Sequence, residues 1–414
     1  MTTGASELEL PPAQPVRVTG LRDGIGLFVI LSSISFNMLA VVALLPVLPM
    51  IATHFADNPL AGFLGRVFHS NGSQLFAQTL ETMSNIGILI GGPIIGWIAD
   101  RTGRANVLFY SLAVYGVAGA AGLFLDYPPL LLTSRLLQGF GSAGIAVTTY
   151  SLVSERFEGA ARSKVMGYQQ IFVSLMGFVA VPTAGSLGER YGWHAPFGLF
   201  LSALVMLPIA LATVPRGGAL APRPSSDSGG SISALIPIYV MMVPLLIVAN
   251  MTNLHLPFVL AGDGIVGAKA QSHILMWTSI AYLVGGVLYG WVTTPLGPRR
   301  MLCLILAILA ANGLAVGLTH GSQTVFGVAL GGMASGFLVP FTTNLVVNRA
   351  APEARARALG FMYMANYIGS FLNPWITTPI RTHLGNHEIF LAMGVLLAVV
   401  AVVQSLTRRS PVNP

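Results

Sequence analysis

The sequence predicts an all-α polytopic membrane protein: twelve transmembrane helices in two pseudo-symmetric six-helix bundles. Three observations carry this expectation. Of 414 residues, 54% are hydrophobic and 8% charged, against roughly 25% charged in a soluble domain; the mean hydropathy is +0.74. Apolar stretches long enough to cross a bilayer recur along the whole chain. The chain also repeats itself. A turn from Gly96 to Arg104 (GWIADRTGR) has a near copy from Gly290 to Arg299 (GWVTTPLGPR), 194 positions on. Thr148-Thr149 recurs as Thr342-Thr343, and Arg156, Arg162 and Gly167 recur as Arg349, Arg355 and Gly360. Two like-oriented bundles related by an axis along the membrane normal follow from a direct repeat of this kind.

The expected spans are 24–53, 77–99, 106–125, 128–154, 164–187, 195–214, 233–260, 273–294, 300–319, 323–347, 357–380 and 388–407. Residues 1–22 hold Glu7 and Glu9 but no basic start and no apolar run. They predict a cytoplasmic tail ahead of an uncleaved first span, not a signal peptide. The N-terminal bundle takes 23–214. The stretch 215–232, rich in Pro, Gly and Ser, is the expected cytoplasmic linker. The C-terminal bundle takes 233–407, and 408–414 form a second tail. The outer loop 54–76 is long, and is either an insertion or a gate.

Sixteen Lys and Arg fall in the tails and in the loops after spans 2, 4, 6, 8 and 10, against four in the opposite loops (Arg66, Arg190, Lys269 and Arg381). The positive-inside rule therefore places both termini in the cytoplasm of a cell inner (plasma) membrane. The net charge of +7 comes from basic residues scattered singly or in pairs between apolar spans. That pattern sets topology and argues against a nucleic-acid partner. The lone cysteine, Cys303, has no partner for an internal disulfide and reads as a packing residue.

Buried polar residues mark the candidate cavity. Arg135 lies within span 4, and an Arg at that depth costs roughly 2.5–3.5 kcal/mol on insertion scales. It should face a cavity or a partner, or snorkel outward from its place seven residues after Pro128. Gln138, Ser142 and Thr149 continue its stripe. Glu81 is the carboxylate well inside a span, at a depth similar to Arg135. It either pairs with Arg135 and exchanges protons, or is an ordinary acid at a headgroup boundary. Further cavity candidates are Asn37, Asn85, Gln170, Asn250, Asn253, His255, Asn344, Tyr363, Asn366 and Tyr367. Pro257, two residues after His255, predicts an interrupted span 7 near the site. No nucleotide-binding loop, His/Cys metal spacing or nucleophile–base pattern is visible. The expectation is therefore no cofactor, no metal and no enzyme; His383 and His387 at i, i+4 are only a weak metal pattern.

The turn GWIADRTGR resembles the G-x-x-x-D-R-x-G-R-R motif of the major facilitator superfamily, with Ala105 in place of the last basic residue. Arg135 to Gly141 resembles the R-x-x-x-G-x-G motif of its proton-coupled members. Gly177 to Ser186 resembles the helix-5 motif of its drug:proton antiporters, with Val181 and Ser186 replacing two glycines. The resemblance implies the major facilitator fold and alternating access. It implies a cytoplasmic latch in which Asp100 and Arg104, within the motif that includes Gly96, Arg101 and Gly103, join Glu155 at the end of span 4, with Asp100 also capping span 11. The second half lacks both acids: Thr294 and Asn348 stand in their places. The expected function is proton-coupled efflux of a small amphipathic or drug-like compound by a monomer in the lipid bilayer. The alternative is proton-coupled uptake of a sugar, organic acid or other small metabolite.

Overall fold

The computed structural model describes residues 21–157, 159–215, 235–351 and 354–406. The tail and linker expectations at 1–20, 216–234 and 407–414, including Arg17, Arg216, Arg223, Arg408 and Arg409, lie outside the described residues. Among the described residues the regular structure is helical. Among the described residues, ten helices are long and apolar enough to cross a membrane. One of them, α11 (Ala268–Leu318), runs for 51 residues, and Gly297 at φ 68°, ψ 170° divides it into spans 8 and 9. The thirty-residue α13 (Arg355–Leu384), whose polar residues lower its hydropathy, completes the twelve.

The turn glycines explain both breaks. Gly103 separates α5 (Gly72–Thr102) from α6 (Arg104–Ala120) at φ 90°. Gly297 occupies the matching place in the second half, also with positive φ. A left-handed backbone there suits glycine, and it reverses the chain within one residue.

Span 1 is the broken helix. It runs as α1 (Leu21–Ser33), α2 (Ser35–Val42), a 3₁₀ turn (Leu45–Val47) and α3 (Leu48–His54). Pro46 and Pro49 each lack an N–H, which removes two ladder hydrogen bonds where the 3₁₀ turn and α3 begin. The expected interruption of span 7 is not found: α10 (Ile236–Gly262) continues through Pro244 and Pro257. Its neighbours bury Leu254 to Leu260 completely enough to hold the helix through the proline. The outer loop 54–76 contains a short helix, α4 (Pro59–Phe68), capped by the Asn58 side chain, and Phe68 packs edge-on against Trp375 at 4.9 Å.

The remaining helices are α7 (Pro128–Arg156), α8 (Gly159–Tyr191), α9 (Ser202–Thr213), α12 (Val325–Arg349) and α14 (Glu388–Leu406). Two separate apolar cores result. One joins residues of the first half with the outer part of the second, and the other is built wholly from residues after 234. The ends carrying the charged turns are called inner, and the opposite ends outer.

Candidate functional site

The buried charge in the N-terminal bundle is organised by two glycines. Gly87 of α5 and Gly139 of α7 face each other so closely that a Cβ on Gly139 would lie 2.1 Å from the Ser84 carbonyl oxygen. Backbone contact of this kind brings α5 and α7 together as small-residue packing does in membranes. It seats Arg135, one turn from Gly139, against Glu81. Arg135 is fully buried and Glu81 is 4% exposed. Arg135 Nη2 lies 3.5 Å from Glu81 Oε2 and donates to the Ala40 carbonyl at 2.8 Å. Nη1 donates to Gln138 Oε1, and Nε to the Leu80 carbonyl at 3.3 Å. The guanidinium also sits 5.2 Å from the centre of the Phe200 ring. Arg135 thus does not snorkel outward. Its charge is met inside the bundle, which is the condition for keeping it there.

Next to this pair the structure leaves donors aimed at no protein acceptor. Gln138 Nε2 and Asn37 Nδ2 are buried without a hydrogen-bond partner, although Asn37 Oδ1 accepts from Ser142 Oγ at 2.7 Å. Gln138 and Ser142 are one turn apart on α7, so the two orphan amides share one face. Buried donors without partners are the groups a ligand or ordered water satisfies.

The bundles meet at their outer ends. Gln78 of α5 donates to the Leu254 carbonyl at 3.1 Å, lies 3.2 Å from His255 Nδ1 and accepts from Thr378. His255 Nε2 also lies 2.6 Å from Thr377 Oγ1. Arg381 donates to Gln74 and, at 3.0 Å, to Asn386, and the Asn71 N–H donates to Thr382 Oγ1 at 3.2 Å. Deeper, Asn85 donates to Ser370 at 3.0 Å. Helices α8 and α11 pack across the same interface, with Gly185 against Ser272. Below this closure a cavity of about 690 Å³ lies between α8, α11 and α12, lined by Lys164, Tyr168, Gln170, Tyr282, Thr343 and Asn344 among others. The chain is therefore closed outside and open toward the inner end.

The predicted cavity residues divide accordingly. Gln170 and Asn344 line the inner cavity, and Asn344 donates to the Tyr289 hydroxyl at 3.0 Å. Tyr363 and Tyr367 lie within electrostatic reach of Tyr150, as does Tyr282. Phenols from three helices therefore gather there. Asn366 and Asn253 are half-buried. Asn250 donates to the Leu246 carbonyl of its own helix at 2.9 Å. His255 and Asn85 belong to the closure between the bundles rather than to the open cavity. Four functional candidates escaped the sequence reading. Arg381, expected in an outer loop, is 3% exposed within α13. Gln78 stands three residues before Glu81, a spacing that could have flagged it. Tyr150 follows the polar stripe directly. Gln169, not Gln170, is the buried amide of its pair, and both of its polar side-chain atoms lack a partner.

The charged turn is assembled within one bundle. Arg104 donates to Glu155 and lies 3.8 Å from Asp100. Arg101 stacks over the Trp97 ring at 3.7 Å, and Gly96 borders open space. The expected capping of span 11 by Asp100 is absent here. The Asp100 side chain is 68% exposed, and no side chain caps α13. In the second half, the inner end of the bundle holds instead a cavity of about 770 Å³ lined by Tyr289, Arg299, Asn348 and Arg349 among others.

Twelve helices in two repeated bundles, a buried ion pair and a cavity open to one side define a secondary transporter. The chain belongs to the Major Facilitator Superfamily, whose family profile matches residues 30–266 and 233–414. It is similar to the 3-(3-hydroxy-phenyl)propionate transporter of Escherichia coli, 24% identical over 350 residues that cover 80% of this chain and 84% of that one. It is also similar to the gentisate transporter of Corynebacterium glutamicum, 24% identical over 81% of this chain and 80% of that one. The bacillibactin exporter of Bacillus subtilis is 31% identical, but over 28% of this chain and 30% of that one. Among solved structures, the inward-open xylose transporter XylE from E. coli superposes with a TM-score of 0.72, covering 94% of this chain and 97% of that one at 14% identity. The chain is a multi-pass membrane transporter, not an enzyme.

Proposed function

We propose that this transporter couples protons to the movement of a small aromatic carboxylate or a comparable aromatic metabolite. The observation that carries the reading is the Glu81–Arg135 pair, buried beside the orphan donors of Asn37 and Gln138. Glu81 is the proton carrier. When deprotonated it balances Arg135; when protonated it leaves that guanidinium in need of a counter-charge, which the substrate carboxylate or its hydrogen bonds supply. Coupling of this form links proton and substrate occupancy without a metal or nucleotide. The Tyr150, Tyr282, Tyr363 and Tyr367 group suits an aromatic ring, and Lys164 gives the inner cavity a positive wall.

The aromatic-carboxylate reading is supported by the similar transporters of 3-(3-hydroxy-phenyl)propionate and gentisate, which match over most of both chains. The efflux reading rests on the shorter exporter match and on the helix-5 motif. In both readings the chain works as a monomer in the plasma membrane with both termini in the cytoplasm. The experiment is transport in proteoliposomes with pH gradients of either sign, using hydroxylated aromatic carboxylates and lipophilic cationic drugs as test solutes. Accumulation of a carboxylate with inward proton flow supports the proposal. Exchange of drugs against protons, with no carboxylate movement, overturns it.

A further inference from the structure

Each half of the molecule carries a His–Asp–His cluster at its outer end, and the two clusters are related by the internal repeat. In the first half, Asp126 Oδ1 lies 3.3 Å from His54 Nε2 and 3.2 Å from His194 Nε2. In the second half, Asp263 Oδ1 lies 2.8 Å from His387 Nε2 and 3.4 Å from His320 Nδ1. His194 and His387 are repeat partners 193 apart, and Asp126 and His320 are partners 194 apart. The third position, at the end of the first helix of each half, holds His54 in one and Asp263 in the other. The acid and one histidine have exchanged places, while the composition of the cluster is kept.

The repeat extends to the support of the key imidazole. His194 Nδ1 lies 2.8 Å from the Gly122 carbonyl, and His387 Nδ1 lies 2.9 Å from the Val316 carbonyl, again partners 194 apart. A carbonyl only accepts, so Nδ1 carries the hydrogen in both rings. Nε2 of a neutral ring then points its lone pair at a carboxylate oxygen. Two acceptors 2.8 Å apart require a positive centre between them: a proton or a metal ion. A histidine whose other nitrogen donates to a backbone carbonyl is the usual orientation of a metal ligand.

The second-half cluster is the tighter one. Its three ligand atoms all lie within 4.8 Å of one another. The other carboxylate oxygen, Asp263 Oδ2, accepts from the Gly321 N–H at 2.7 Å, which leaves Oδ1 turned to the two imidazoles. Zinc bonds of about 2.0–2.1 Å in tetrahedral geometry separate neighbouring ligand atoms by about 3.3 Å. The His320–Asp263 spacing already matches this, and the His387–Asp263 spacing reaches it by a shift of about half an ångström.

We propose that Asp263, His320 and His387 bind a divalent transition-metal cation of the zinc class at the outer end of the C-terminal bundle. Three side-chain ligands leave a fourth position for water. The ion ties together the segments following α10, preceding α12 and preceding α14, which are 57 and 124 residues from Asp263 in sequence. Linear spacing therefore predicts no metal here, and the His383–His387 pattern misses the site: only His387 takes part. The ion would sit one residue from Asn386, the acceptor of Arg381 in the outer closure.

The test is zinc binding to the full-length protein in detergent, stripped with chelator and free of any histidine tag. Titration calorimetry and the zinc-dependent shift in Tm are the readouts. His320 is 70% exposed, so His320→Gln should keep the fold, as its Tm without zinc checks. The expected result is one zinc per chain that raises Tm, weakened at least about tenfold in His320→Gln and in Asp263→Asn, and unchanged in His194→Gln. No zinc binding to the wild type overturns the proposal and leaves the imidazolium–carboxylate reading. Equal affinity in His320→Gln, or loss in His194→Gln, overturns it as well.

Discussion

Gly87 and Gly139 stand back to back, with Gly87 Cα 2.8 Å from the Cβ that any other residue would place at position 139. This contact between α5 and α7 sets the distance between Glu81 and Arg135. The buried pair therefore depends on two residues with no side chain of their own.

Replacing Gly139 with valine should force the two helices apart. Overpacking of this kind typically costs about 1–3 kcal/mol, and here it also pulls Arg135 from Glu81. The expected outcome is a Tm lowered by several degrees with pH-driven transport nearly lost. A fully active Gly139→Val protein would show that the pair tolerates separation.

Glu81→Gln mimics the permanently protonated acid. It should retain exchange of labelled for unlabelled substrate across proteoliposome membranes, and lose accumulation driven by a pH gradient. Full gradient-driven accumulation in this variant would remove Glu81 from the proton path. Arg135→Ala should be the harsher change, because removing one partner of a buried pair leaves an uncompensated group and costs about 3–5 kcal/mol. Denaturation monitored by tryptophan fluorescence should order the two variants in that way.

The outer closure predicts a shift of state. Gln78 joins α5 to both α10 and α13. Gln78→Ala leaves buried partners unsatisfied at about 1–3 kcal/mol, enough to repopulate the outward-open form by roughly 5–150-fold. In a Cys303→Ser background, cysteines introduced at Asn71 and Thr382 should cross-link readily in the parent and slowly after Gln78→Ala. Unchanged cross-linking would place the hold elsewhere in the interface.

The charged turn predicts a kinetic effect with little change in affinity. Asp100 is largely exposed and its pair with Arg104 is long, so its contribution in this state is about 1 kcal/mol or less. Asp100→Asn should bind substrate within about fivefold of the parent while slowing net transport. Abolished binding in detergent would contradict a role in switching.

Spans, repeat and charged turns were readable because each rests on local chemistry. Hydrocarbon thickness demands long apolar runs, and a turn of one residue between helices demands a glycine such as Gly103 or Gly297. The pairing of Glu81 with Arg135 was also within reach, since both are costly in a membrane and lie at matching depth. The break in span 1 was written in Pro46 and Pro49, but Pro257 sent the same signal for a helix that stays whole. A proline shows where a hydrogen bond is missing, and only the surrounding packing determines whether the helix yields.

By itself, then, the sequence determined the spans, the duplication and the cost of burying particular charges. The tertiary structure alone decided which end is closed, that Arg381 and His255 belong to that closure, and that Asp100 is exposed in this state. It alone brought Asp263, His320 and His387 to one point. Those outcomes depend on contacts between residues far apart in the chain, whose geometry is set by how helices pack and not by the spacing of residues along them.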